Sequence, residues 1–305
     1  MVSSAPTPYD GSSTPFTIGL KPLDLAKWIE IDATYDAQMR EKRRLYASVG
    51  EKVFVAEPGT ERAQQEVLDL IHAHVIEHFP QRFRQECKGI AISGHPALST
   101  ADMRATPPLK AASLLVQEDL ILMRKGEDGW RLAAGSLCFP SSWTLTEKFG
   151  RPLQEIHRPV PGFGPDTRNN ELINRMFDRL HQPVLRFNWS IQAGDALYHP
   201  LSHEGRIERA ETRPSRFGDA DLNAAAFIRV ERQTLRKLPE SGDILFTIRI
   251  YLDPLGWIAR RPERQTLATS FAAQLNALDT EQLDYKGLAA DRDRLVNALQ
   301  AIAPE

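Results

Sequence analysis

Polar and apolar residues alternate with a period of two over three stretches in the second half of the chain. In residues 183–192, Leu185, Phe187, Trp189 and Ile191 alternate with Arg186, Asn188, Ser190 and Gln192. In 225–235, Ile228 and Val230 alternate with Arg229, Glu231 and Gln233. In 243–252, Ile244, Phe246, Ile248 and Ile250 take one parity, and Leu245, Thr247, Arg249 and Tyr251 the other. Successive side chains of a strand point to opposite faces, so each stretch predicts a half-buried strand. "LPESG" (238–242) joins the last two as a hairpin. Two further strand-like runs, 111–125 and 130–143, are joined by the turn sequence "GEDG".

The first part of the chain follows a helical period instead. Val67, Leu68, Ile71 and Val75 mark a helix over 59–79, with Thr60 as cap and Pro80 as stop. A charged helix is predicted over 34–50, ending at Gly50, and another over 168–180. Asp24 is placed to cap a short helix, and two helices follow residue 264. Residues 1–16, rich in Ser, Pro and Thr, read as a mobile arm. The sum is an α+β fold: a five-stranded, mainly antiparallel sheet in one continuous domain, 17–305, with helices at both ends. Two hairpins bracket one isolated strand.

Composition narrows the function classes. The chain has 305 residues, 42% hydrophobic and 26% charged, which is ordinary for a globular protein. A net charge of −2 gives no basic surplus for nucleic-acid binding. Two cysteines, Cys87 and Cys138, cannot build a disulfide framework or a four-cysteine metal site. The start of the chain has no signal-peptide pattern, and no apolar run reaches membrane-span length. These features lead to the expectation of a cytoplasmic protein. No Gly-rich dinucleotide turn, phosphate loop or G-x-S-x-G elbow is present, so any redox chemistry takes its electrons from elsewhere. His74 and His78 stand at i, i+4 spacing but without an H-E-x-x-H pattern, so a solvated helix face is the better reading.

The candidate chemistry lies in "QEIHRPVPGF" (154–163). Pro159 and Pro161 restrict the backbone and bias Arg158 and Val160 towards extended conformations. A stiff backbone after His157 suits either a hydrogen-bonded structural ring or an imidazole held as a ligand. Arg186, Asn188, Arg229, Glu231 and Arg249 add a second feature, as polar residues on alternating strand positions. They pair internally with Glu118, Asp119 and Glu231, or they bind an anion in bidentate fashion.

Longer segments carry a resemblance. "VQEDLILM" (116–123), "FPSSWTLTEKFGRPLQEIHRPVPGF" (139–163), "LRFNWSI" (185–191), "VERQTLRKLPESGDILFTIRIYLDPL" (230–255) and "GLKPLDLAKWIEID" (19–32) together resemble the haem-dependent oxidative N-demethylase family, in the same order through residues 17–275. Its members include the oxygenase α subunit of dimethylamine monooxygenase. The resemblance implies a PAS-like core carrying haem b. It implies an oxygenase that uses O₂ to oxidise an N-methyl carbon of a small amine, yielding a primary amine and formaldehyde. Electrons would come from a separate NADPH-dependent flavin and iron–sulfur reductase. In that frame His157 is the expected axial iron ligand, and Arg186 and Arg249 are expected at the haem propionates. Asn188, Ser190 and Glu118 are expected in the polar lining, and Trp189 and Trp143 beside the porphyrin or in the core. A haem-binding PAS-type sensor without turnover is the alternative. The exact amine, the reductase and the subunit number are not legible in the sequence.

Overall fold

The computed structural model describes residues 5–303. Its centre is a seven-stranded sheet built from β1 (Lys21–Pro22), β2 (Phe54–Ala56), β6 (Asp119–Gly126), β7 (Gly129–Ser136), β8 (Val184–Ala193), β9 (Ala226–Lys237) and β10 (Ile244–Pro254). The order is β1-β8-β9-β10-β6-β7-β2, and every pairing is antiparallel. A separate antiparallel meander holds β3 (Phe83–Glu86), β4 (Gly89–Ile92) and β5 (His95–Ser99).

The α+β class and the antiparallel sheet agree with the alternation in the sequence. The five expected strands are the contiguous centre, β8-β9-β10-β6-β7, and the sheet is completed to seven by two short edges. Strands of two or three residues leave no period to read, which is why β1 and β2 carry no signal. The run 111–125 is split. Pro108–Ser113 is helical, opened by a proline at its first turn, and the strand starts only at Asp119.

The sheet separates two packed layers. On its back face, helices Tyr35–Val53 and Glu61–His78 cover Leu120, Leu122 and Leu245, while helices Arg264–Asn276 and Arg292–Ile302 cover Ile228 and Val230. The Tyr35–Val53 helix runs past Gly50, the expected stop, with a kink at Val49. On the front face lie segment 139–163 and helix Arg168–Asp178, against Ile121, Met123, Leu235 and Ile248. Asp119 ties that covering segment to the sheet: its two carboxylate oxygens accept from the backbone N–H groups of Cys138 and Phe139 at 2.8 and 2.9 Å.

Residues 1–4 of the expected arm lie outside the described residues. Residues 5–16 pack on the protein. Tyr9 is buried, its ring stacked on Phe271 at 4.5 Å. No helix among the described residues is long and apolar enough to cross a membrane.

Candidate functional site

A cavity opens between the front face of the sheet and the segment that covers it. It has an empty volume of about 1600 Å³ when the space open at its mouth is counted. Its walls divide by chemistry. Ile121, Met123, Phe246 and Ile248 from the sheet meet Phe163 and Phe177 from the cover on the apolar side. Arg186, Asn188 and Ser190 of β8 and Glu231 and Gln233 of β9 form the polar side, joined by Lys148, Arg216, Tyr285 and Lys286. The pairings Arg186 with Gln233 and Asn188 with Glu231 put these side chains on one face, as cross-strand partners must be.

His157 borders this cavity from the cover. It is the last residue of the short helix Leu153–His157, which begins after Pro152 and buries Leu153. Arg158 follows with φ −46° and ψ −41°, so it stays helical despite standing before Pro159. That corrects the expectation of an extended residue. Its guanidinium bonds Glu155 one turn back, which holds the turn closed against the pre-proline bias. The Val160 N–H then donates to the His157 carbonyl at 2.8 Å. The imidazole is half-buried at the cavity wall, beside cations. Burial first, then the Lys148 and Arg186 charges, push its pKa down to about 4. The ring is therefore neutral at pH 7, which is the ligating form. Its Nδ1 makes no hydrogen bond, although the Leu153 carbonyl is near enough to favour the charged ring slightly.

The polar end carries more cations than anions. Glu231 is its carboxylate, accepting from Gln233 Nε2 at 2.8 Å and Asn188 Nδ2 at 3.4 Å, with Arg229 Nε at 3.7 Å. Arg186 Nε has no hydrogen-bond partner. Lys148 lies over the Trp143 ring at 4.4 Å and keeps some surface toward the cavity; its depth in the protein pushes its pKa down to about 7. Lys286 donates to the Trp189 carbonyl at 2.6 Å, and burial pushes its pKa down to about 8. Buried cations without a full set of counter-charges are costly, unless an anionic ligand completes them.

Four of the seven expected site residues, His157, Arg186, Asn188 and Ser190, line this one cavity. The other three stand on the back face. Arg249 ion-pairs with Asp32 at 2.6 Å and donates to Gln38 Oε1 at 2.9 Å. Glu118 is fully buried and accepts from the Glu30 backbone N–H at 3.1 Å; burial raises its pKa. Trp189 packs edge-on to Phe271 at 4.8 Å and donates from Nε1 to Gln274 Oε1 at 2.9 Å. Trp143, by contrast, lines the cavity. Glu231 and Gln233 were visible in the sequence only as polar parity positions of β9. Lys148 lies far in the chain from the adjacent Tyr285 and Lys286, and no local pattern points to them.

Among the described residues, no group of three or more His, Cys, Asp or Glu is arranged to hold a metal ion. A porphyrin iron needs no such group. It needs one neutral imidazole, apolar walls for the ring and cations for two carboxylates. The neutral His157 ring at the cavity wall, the apolar wall and the cation surplus fit that requirement. Comparison with known families points the same way: residues 19–296 match the model for haem-dependent oxidative N-demethylase, alpha subunit-like proteins, and the chain belongs to that family.

Proposed function

We propose that the front-face cavity is the haem and amine site of an oxygenase subunit, in which His157 would bind the iron. The haem would be b-type, held without a covalent link. Arg186 would meet its propionates, with Lys148 and Lys286 supplying further positive charge. The PAS-like description of the central strands belongs to the same reading. When bound, the haem supplies the O₂ chemistry that oxidises an N-methyl carbon.

The chain's own residues supply the rest. A small methylated amine such as dimethylamine enters as an ammonium ion, whose proton must leave before the nitrogen can assist oxidation of its methyl group. Glu231 is the carboxylate facing that space, held by Asn188 and Gln233. It would bind the ammonium and accept the proton. Ser190, next along β8, would orient the amine or O₂. The apolar wall excludes water. The balance is one amine, one O₂, two electrons and two protons, giving one water and a carbinolamine. The carbinolamine then breaks its C–N bond to release a primary amine and formaldehyde. The electrons would come from a separate NADPH-dependent flavin and iron–sulfur reductase, and the chain would work with it in the cytoplasm.

The observation that carries the proposal is the neutral His157 ring at the wall of a cavity lined by more cations than carboxylates. The test is spectroscopic. Purified protein reconstituted with haem is expected to show a Soret band that changes in position and loses intensity in His157→Ala. Identical spectra in both oxidation states would remove His157 as the ligand.

A further inference from the structure

Two chambers meet at three residues. The inner cavity and an outer one, whose empty volume counted in the same way is about 800 Å³, both have Phe16, Arg186 and Asn188 in their walls. Segment 6–21 walls the outer chamber on one side and β8 on the other, and Asp10, Ser12, Ser13, Thr14 and Thr17 make it polar. That segment is fastened on both sides of Phe16. Before it, Tyr9 stacks on Phe271, and Gln274 Nε2 donates to the Ser13 carbonyl at 3.1 Å. After it, Lys21 and Pro22 pair with β8, and the Leu23 N–H donates to the Pro183 carbonyl at 3.0 Å.

Between these anchors Phe16 has a φ of +58°, in the left-handed region that a bulky side chain avoids. Four non-glycine residues among the described ones have positive φ, and two of them, Phe16 and Ser142, line the inner cavity. Such backbone persists only where the surroundings hold it, and it concentrates at ligand clamps and switch regions. Here the ring is held edge-on to Tyr285, with centroids 5.8 Å apart at 70°, while Lys286 Nζ lies 5.0 Å over it. The anchors and the ring contacts together place a phenyl group at the junction of a polar vestibule and a mostly apolar chamber.

We propose that N-methyl amines reach the inner cavity through the outer chamber, and that Phe16 sets the largest N-substituent admitted. The inference rests on the reading of the inner cavity as the oxidation site. The polar vestibule receives the hydrated ammonium ion. The route then runs past Arg186 and Asn188 to Glu231, so the amine loses its water shell only where a carboxylate replaces it. A dimethyl amine needs a small displacement of the Phe16 ring; an amine with a bulky second substituent needs the whole 14–20 strap to move.

The test is the rate at which imidazole binds ferric haem in wild type, Phe16→Ala and Phe16→Trp, followed at the Soret band by stopped flow. Binding is expected several-fold faster in the Ala variant and several-fold slower in the Trp variant. The opposite signs separate gating from general loosening of the strap. With the reductase present, KM for amines with a bulky second substituent is expected to fall in Phe16→Ala, while KM for dimethylamine changes little. Equal rates in all three proteins would overturn the gate. Failure of the haem reading shows itself separately, as a wild type with no Soret band. Access is then read in haem-free protein by acrylamide quenching of Trp143, isolated by subtracting matched Trp143→Phe variants. Equal quenching with and without the Phe16 ring would likewise overturn the gate.

Discussion

The two faces of the central sheet treat buried charge in opposite ways. On the back face, Arg249 meets Asp32 at 2.6 Å, and Arg232 meets Glu30 at 3.1 Å while donating to the Trp28 carbonyl at 2.9 Å. Each of these two guanidiniums has its own carboxylate, although Arg249 Nε and Glu118 Oε2 on that side make no hydrogen bond. On the front face, Glu231 stands among Arg186, Arg229, Lys148 and Lys286. The same residue types therefore serve two ends. Where charges balance, arginine braces the layers; where cations exceed anions around a cavity, the missing charge is expected to come from a ligand.

The largest effect that would sharpen this contrast is at Glu231. Glu231→Gln keeps the size and the hydrogen-bonding shape but removes the proton acceptor. Turnover of dimethylamine is expected to fall by about 10²–10⁴, with the Soret band unchanged; steady-state kinetics with the reductase checks both. Next is Arg249→Ala on the back face, which strands Asp32. It is expected to cost about 3–5 kcal/mol in denaturant unfolding, while the fraction that stays folded retains haem as wild type does. Loss of haem without loss of stability would break the division between the faces. Arg186→Ala on the front face is expected to do the reverse. It should weaken haem retention by about 1.5–3 kcal/mol, the range for a hydrogen bond to a charged group, and leave the stability of the haem-free protein unchanged or raised. Transfer of haem to a scavenger globin measures it.

The smallest effect is the pH dependence of the haem-free protein. His157 has a folded pKa of about 4, below the ordinary 6.5, so the unfolded chain binds its proton more readily. The stabilising contribution of the neutral ring is therefore complete above pH 6.5 and is lost as the pH falls through about 4. His74, also depressed to about 4, and His199 titrate in the same direction. The His157 share is thus the difference between wild type and His157→Gln. Stability curves that stay parallel from pH 7 to 4 would contradict the burial of the ring.

The legible part of the site followed from local chemistry. His157 stands out because a lone imidazole precedes two prolines, and Arg186, Asn188 and Ser190 because they share one parity of one strand. Lys148 and Lys286 gave no such signal, since one lies in a short covering helix and the other near the C-terminal end of the chain, 138 positions on. The back-face placement of Arg249 was hidden for a different reason. Period two divides each strand into two sets but does not say which set of one strand faces which set of the next.

The sequence by itself determined the five central strands, their antiparallel character, the helices on either side and the family. Alternation and turn chemistry are local properties, and they survive without knowledge of the partners. Only the tertiary structure decided that Arg186 pairs with Gln233 while Arg249 pairs with Arg232. That register sends one arginine to the cavity and the other to the paired layer behind it. Hydrogen bonds between strands set it, across sequence separations of 47 and 17 residues, where no short-range pattern reaches.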